Sequence, residues 1–346
     1  MIYIFYSCFN NYDILIGENL KFLKKHSDRI ILIDDHSSLE EQAKGKTIAE
    51  TLGLRFEINP GKGLQSGLDF IIKNICSKED WVLSMQQDVY FRDNNAIEKL
   101  EDRTTKIQSK GYDIGAIGFP NYTPNAHYHV DKKNVSDVSW NECWLGVFNL
   151  ASSSTYKTKR IMNSIYRIIS KFPLIKYVER RFWHKVIFHR NFAPLTHPKF
   201  TEIAKNYEGL VSIDLPVWTA IAISAKGWKK VINPDPNFVF HLWFPDIAMQ
   251  FMNQNWFVCI DTEQIVINNF RLKLLYGIEG SVEEGKKNSI RMEKYGNHLK
   301  KWYEKWQYDY EDPFPDYRKN LYINKDSLLY EMIGRSSKKP FKKFKV

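Results

Sequence analysis

The N-terminal third of the chain predicts an α/β fold, with strands laid parallel and helices between them. Two observations carry this. Over the first 120 residues short apolar runs alternate with amphipathic, polar-faced stretches, and turn and cap residues fall at the joints between them. At 346 residues the chain is also long enough for one large α/β unit with insertions, or two closely packed lobes, and for a buried enzyme site.

The expected strands are 2–7, 29–33, 54–58, 81–85 and 114–119. The first is apolar enough to suggest a signal peptide, but it lacks a basic start and runs at once into Asn10, Asn11, Tyr12 and Asp13, so it reads as a buried strand. Ser38 with Glu41 three residues on forms a capping box for the second helix, and Gly53 is its stop. Asn94 is the expected cap of a helix running to Ser109, ended by Gly111.

Past Pro120 the alternation stops, and Asn, His, Trp and Cys mix as far as Leu150 in the manner of loops and irregular strands. Residues 154–192 read as a basic helical insertion, with Ile161, Ile165, Ile168, Ile169 and Phe172 on one face and Pro173 breaking it. Regular pattern resumes with a strand at 220–224, a turn through Lys226 and Gly227, a helix over 245–253, strands at 256–260 and 265–268, and a long helix from about 282 to 306. The tail ends in lysines.

Composition limits the classes. No run approaches the roughly 18 apolar residues of a membrane-spanning helix. Cys8, Cys76, Cys143 and Cys259 lie far apart without metal-knuckle spacing, which suggests neither a zinc site nor a disulfide framework and fits a reducing cytoplasm. The formal charge of +10 concentrates between Tyr156 and Arg190, where Glu179 is the one acid, and again at the lysine-rich end. That insertion has three readings: a solvated helical face, an interfacial helix pair on anionic lipid, or a nucleic-acid surface. Nucleic acid is not expected, since no recognised binding module accompanies the charge.

Three strand ends carry candidate chemistry. In parallel α/β sheets ligands settle beyond the carboxyl ends of strands, so Asp34 and Asp35 are placed to meet a base or ribose, or to cap a turn. Asn59-Pro60-Gly61-Lys62-Gly63 follows a strand and opens a helix, where glycines allow close approach and helix-start amides with Lys62 favour an anion. Gln86-Gln87-Asp88 ends the fourth strand, and an exposed carboxylate there can coordinate a hard divalent cation together with diphosphate oxygens and water.

The order Ser7–Asn10, Asp34-Asp35-His36-Ser37, Asn59-Pro-Gly-Lys-Gly, Gln86-Gln87-Asp88-Val89, Ile114–Gly118 resembles the nucleotide-binding half of family-2 glycosyltransferases of the GT-A fold. The resemblance covers about 120 residues and continues more thinly through Ala220–Ser224, Gly227-Trp228, His241-Leu-Trp-Phe-Pro-Asp246 and Lys301-Trp302; residues 150 to 210 have no counterpart. It implies an α/β, GT-A-like Rossmann-type mixed sheet flanked by helices, with a helical basic insertion and a C-terminal helical extension. It divides the chain into a nucleotide-sugar half (1–120), an acceptor half (121–270, including the insertion 151–208) and a C-terminal helix and basic tail (271–346).

The activity implied is transfer of one monosaccharide from a nucleotide diphosphate sugar to a glycan or lipid-linked acceptor, with inversion; the expected location is the cytoplasm, and an anionic membrane surface is a candidate partner of the insertion, one of its three readings. By the same resemblance Asp35 contacts the base with Asp34 beside it, Lys62 borders the nucleotide, and Asp88 takes the last place of the motif that holds Mn or Mg. Gln86 stands where that motif's first aspartate belongs and supplies no charge. Asp246 is the candidate base. His241 is a candidate for approaching the metal or diphosphate, and Gln87, Glu142 and Trp144 complete the substrate-binding set.

Two other readings stay open. A sugar-phosphate nucleotidyltransferase also uses an α/β nucleotide half and a metal-binding aspartate, but it carries a glycine-rich basic signature near the first strand that is absent after Phe5. A catalytically degenerate carbohydrate-binding scaffold is kept alive by Gln86.

Overall fold

In the computed structural model of the chain, the described residues are 1–122, 135–140, 143, 146–147, 209–213, 215–239, 242–268, 297–298, 300–302, 304–306 and 343–344. The chain opens with β1 (Ile2–Cys8), α1 (Tyr12–Lys25), β2 (Ile30–Asp34), α2 (Leu39–Leu52), β3 (Arg55–Ile58), α3 (Gly63–Asn74) and β4 (Trp81–Met85). There follow β5 (Val89–Phe91), α4 (Ala96–Ser109), β6 (Ile114–Gly118) and β7 (Asn121–Tyr122). The described remainder contains β8 (Gly146–Val147), β9 (Leu210–Ser212), β10 (Leu215–Pro216), β11 (Ala220–Ser224), α5 (Ala225–Val231), α6 (Trp243–Asn253), β12 (Phe257–Asp261), β13 (Val266–Asn268) and β14 (Lys343–Phe344).

Nine strands make one mixed sheet in the order β14-β9-β12-β6-β11-β4-β1-β2-β3. β1 to β4 are mutually parallel, as the alternation predicts, because each crossover carries a helix. β6 points the same way but does not touch β4. Between them lies β11, antiparallel to both, with Ala220 opposite Met85 and Ile221 opposite Gly118. A second sheet, β5-β13-β7, crosses the carboxyl ends of β4, β6 and β12.

Two apolar layers sandwich the main sheet, one built on α3, α5 and α6 and one on α1, α2 and α4. On α3 the buried stripe is Leu68, Ile71 and Ile72, all with no exposed surface. Truncating any one to Ala costs about 2–5 kcal/mol. The fully buried β2, β4, β6 and β11 read as near-continuous apolar runs because helices cover both faces.

The capping box forms as expected: the Ser38 hydroxyl accepts from the Glu41 amide, and Gly53 ends α2 in the left-handed region at φ 69°. Three local expectations are corrected. The cap of α4 is Asn95, without a side-chain bond, while the carbonyl of Asn94 accepts from Lys25 Nζ at 2.6 Å. Lys226 and Gly227 do not form a turn but lie inside α5, which the Ser224 hydroxyl caps by accepting from the Gly227 amide at 3.2 Å. Glycine is needed there for packing, since a Cβ would lie 2.9 Å from the Trp256 ring and 3.0 Å from that of Phe251. The helix expected over 245–253 starts two residues earlier, at Trp243.

The basic insertion lies outside the described residues. Of the expected long C-terminal helix, residues 297–298, 300–302 and 304–306 are described and are helical. Among the described residues no helix is long and apolar enough to cross a membrane. The four cysteines are buried and form no disulfide.

Candidate functional site

The loops that leave β1, β2, β3 and β4 all emerge at the same edge of the sheet, and polar side chains tie them to one another. After β1 the chain turns through Asn10 and Asn11, both left-handed at φ 54° and 55°. The Asn10 amide donates to Ser37 Oγ at 2.8 Å, and its side-chain oxygen accepts from the Ser38 amide at 3.1 Å. Its carbonyl accepts from Gln87 Nε2 at 3.3 Å, while the Gln87 carbonyl accepts from Asn19 at 3.0 Å. Asparagine tolerates the left-handed region and bonds local backbone, which is why Asn-Asn stands here.

Asp35 is the hub of the next two loops. It is 5% exposed, and its Oδ1 accepts from Asn59 Nδ2 at 2.7 Å and from the Gly63 amide at 2.8 Å. Its Oδ2 makes no hydrogen bond among the described residues, so that oxygen is the one left for a ligand. Asn59, itself buried, also donates to the Gly63 carbonyl and accepts from the Gly61 amide. His36, left-handed at φ 62°, donates from Nε2 to the Gly61 carbonyl at 2.6 Å. Gly63 is required where it is: at φ 77° its missing Cβ would fall 2.2 Å from the Val239 carbonyl oxygen.

Lys62, the N-cap of α3, is exposed and has no ion-pair partner among the described residues. A cation beside the first turn of a helix makes that end a place for an anion. At the end of β4 the Val89 amide donates to the Gln86 carbonyl at 3.2 Å, closing a turn in which Gln86, Gln87 and Asp88 are all half-buried. Asp35, Lys62 and Asp88 therefore share one sheet edge, each on a different loop.

Asp34 departs from expectation. It has no exposed surface, and its oxygens are taken by the Tyr12 hydroxyl at 2.8 Å and the Ser37 amide at 2.9 Å. It shapes the loop that presents Asp35 and does not face a ligand. Burial, with Cys8 and Asp34 close by, pushes the Tyr12 hydroxyl far above its usual range, so Tyr12 stays the donor.

Asp246 is also fully buried. Its Oδ1 accepts from Trp306 Nε1 at 2.8 Å and pairs with Lys305 Nζ at 2.8 Å, and its Oδ2 accepts from Gln250 at 2.8 Å. Burial raises its pKa above the usual carboxylate value, against the opposing pull of Lys305, Trp306 and Gln250. Its helix is held against α3 because Gln65 of α3 donates to the Trp243 carbonyl at 2.9 Å and accepts from the Asp235 amide at 2.7 Å. Lys305 pairs with Asp235 as well, at 3.0 Å. In this conformation the carboxylate anchors the helical residues 304–306 onto α6.

Glu142, Trp144 and His241 lie outside the described residues. Trp243 is core, 1% exposed and edge-on to Phe244. Asn59, which the sequence singles out only as the head of the Asn-Pro-Gly-Lys-Gly turn, proves to be the buried bridge between Asp35 and Gly63. Phe9, to which the sequence assigns no role, is 52% exposed just after β1, an apolar ring beside Asn10 on the same edge.

For a divalent cation, the oxygens at the end of β4 are of the right hard type, Asp88 carboxylate and Gln86 amide, yet no group of three ligating side chains gathers among the described residues. The set fits a cation that takes most of its shell from a bound diphosphate and water, and does not fit a cation held by protein alone.

No protein-family model matches the chain, and no curated protein matches it. Among solved structures the chain is similar to GalNAc-T7 crystallised with UDP, GalNAc and Mn2+, at 10% identity over 78% of this chain and 44% of that one, with a TM-score of 0.48. It is similar to residues 1–349 of S. aureus TarS, at 12% identity over 96% of this chain and 81% of that one, with a TM-score of 0.39. It is similar also to a mycobacterial protein, at 12% identity over 78% and 65%, with a TM-score of 0.36. The chain thus spans less than half the length of the first of these.

Proposed function

We propose that the chain is a glycosyltransferase that moves one monosaccharide from a nucleotide diphosphate sugar to a glycan or lipid-linked acceptor, with inversion. The observation that supports this reading most is the single hydrogen-bonded rim formed by four loops at one sheet edge, carrying Asp35, Lys62 and Asp88. In this reading residues 1–120 hold the donor, 121–270 the acceptor, and 271–346 form a closing helix and tail.

Asp35 Oδ2 accepts from the base, and Lys62 with the first amides of α3 faces the diphosphate. Asp88, with Gln86 beside it, would hold Mn or Mg against the diphosphate, and the cation when bound supplies neutralisation of the leaving group's charge. A carboxylate removes the acceptor hydroxyl proton as that oxygen bonds to the anomeric carbon, and the bond from that carbon to the diphosphate oxygen breaks with its electrons. Asp246 is the candidate base, its proton affinity already raised by burial. To serve, it requires Lys305 and Trp306 to move off its Oδ1. The basic insertion makes contact with anionic lipid, where lipid-linked acceptors reside.

Titration of UDP with and without Mn tests the donor site. The expected outcome is binding that Mn strengthens in the wild type and not in Asp88→Ala. An absence of any nucleotide binding favours the scaffold reading that Gln86 keeps open. For the insertion, flotation with anionic vesicles is expected to lose the protein when residues 154–192 are replaced by a neutral linker, and unchanged flotation removes the lipid contact.

A further inference from the structure

A cavity of about 420 Å³ lies apart from the donor rim, between the end of β5, the loop after β12 and residues 138–140. Arg92, Val138, Ser139, Trp140, Glu263 and Ile265 line it. Its volume is within the range of small-molecule sites.

Its walls are fixed by bonds that do not depend on a ligand. The Arg92 amide donates to the Ile265 carbonyl at 2.9 Å, and Arg92 Nη1 donates to the Val138 carbonyl at 2.6 Å. Across the cavity the Glu263 amide donates to Asp261 Oδ1 at 3.1 Å, and its carboxylate pairs with Arg103 Nη2 at 2.6 Å. Arg103 and Asp261 form a buried pair beneath, 9% and 0% exposed. Thr262 Oγ1 accepts from the Gly209 amide at 2.8 Å, closing the floor.

With the walls so held, Arg92 Nη2 and Glu263 Oε1 make no hydrogen bond among the described residues. One is a donor with positive charge, the other an acceptor with negative charge. Each charge already has a counter-charge, Arg92 Nε with Asp93 Oδ1 at 3.5 Å and Glu263 with Arg103, so the cavity offers polar groups without a net charge that would call for an ion. A ligand that both donates and accepts without net charge satisfies the two together, which describes a polyhydroxylated ring. Beside them Trp140, half-buried against the core, with Val138 and Ile265, supplies the apolar surface that the C–H face of a sugar meets.

We propose that this cavity is a saccharide subsite that takes a neutral sugar unit of the acceptor, remote from the bond being made. Asp88 precedes β5 and Arg92 follows it, four residues on, so the Cα atoms of the two residues are at most about 14 Å apart. The saccharide chemistry stands on the cavity itself; its assignment to the acceptor rests on the glycosyl-transfer reading.

The test uses the full chain without nucleotide, titrated calorimetrically and by saturation-transfer NMR with neutral mono- and disaccharides of glucose, galactose, N-acetylglucosamine and N-acetylgalactosamine. At least one is expected to bind, with affinity lowered about tenfold or more by Trp140→Ala, the scale of losing one aromatic anchor. Ser139→Tyr, which fills the cavity and leaves Trp140 in place, is expected to do the same, and both variants keep wild-type UDP affinity. Binding by no member of the panel, binding indifferent to both substitutions, or displacement of the sugar by inorganic phosphate overturns the proposal. Saccharide binding in a protein that never binds UDP upholds the subsite and sinks the transferase reading; UDP binding without saccharide binding does the reverse.

Discussion

Replacing Asp35 by Asn and by Ala separates what its charge does from what its shape does. Its Oδ1 accepts two N–H groups, from Asn59 and Gly63, in a place that is 5% exposed. In Asp35→Asn the amide oxygen still reaches both donors, but a neutral acceptor bonds about half as strongly as a charged one, so about 1–2 kcal/mol is lost. Asp35→Ala removes the acceptor altogether. Asn59 Nδ2 keeps the Gly63 carbonyl at 3.0 Å, whereas the Gly63 amide is left buried with nothing. One stranded donor at about 1–3 kcal/mol and one lost charged bond at about 1.5 kcal/mol give about 2.5–4.5 kcal/mol.

Urea unfolding of the three proteins measures this order through the shift in midpoint at constant slope. UDP titration at a temperature where all are folded adds the functional half. Asn presents a donor where Asp35 Oδ2 accepts, so its affinity for UDP is expected to fall further than its stability does. Equal stability losses for Asn and Ala, or a loss under about 1 kcal/mol for Ala, would refute the account of Asp35 as the bond that closes the loop.

Gly63→Ala forces a Cβ to within 2.2 Å of the Val239 carbonyl at a backbone φ of 77°, and a loss of at least about 2 kcal/mol in urea unfolding is expected from the left-handed penalty and the clash together. Asp246 gives a pH signature. Burial raises its folded pKa above the usual 3.8, so between these two values the folded chain holds a proton that the unfolded chain has released, and stability from this group falls as pH rises through the window. The stability of the wild type relative to Asp246→Asn is therefore expected to decline as pH rises from about 4 and to level off above the folded pKa, read by urea unfolding of both; a flat difference contradicts it.

The elements of the first 120 residues were legible because each strand is a short apolar run bounded by its own cap or glycine, and local chemistry decided the outcome at Ser38, Gly53 and Trp81–Met85. Gly227 was misread because glycine marks a turn in isolation, while here its role is to let Trp256 and Phe251 close on α5, a contact made only by folding. The direction and place of β11 were equally out of reach, since Ala220–Ser224 has no local feature that says antiparallel or that inserts it between β4 and β6. In the candidate site the rim loops could be read one by one, but not which oxygen of which aspartate is occupied. Asp34 and Asp35 are adjacent and chemically identical; Tyr12, a helix away, turns the first inward.

The insertion of β11 between β4 and β6 has a consequence for the order in which the chain can mature. Until Ala220–Ser224 has been synthesised, β4 presents one bare edge and β6 has no neighbour on that side, so a fragment ending near residue 120 carries open strand edges that invite association with other chains. The rim loops after β1 to β4 and the part of the sheet beyond β6 are thus stitched through a single central strand, and dividing the chain between them leaves both pieces with an unpaired edge.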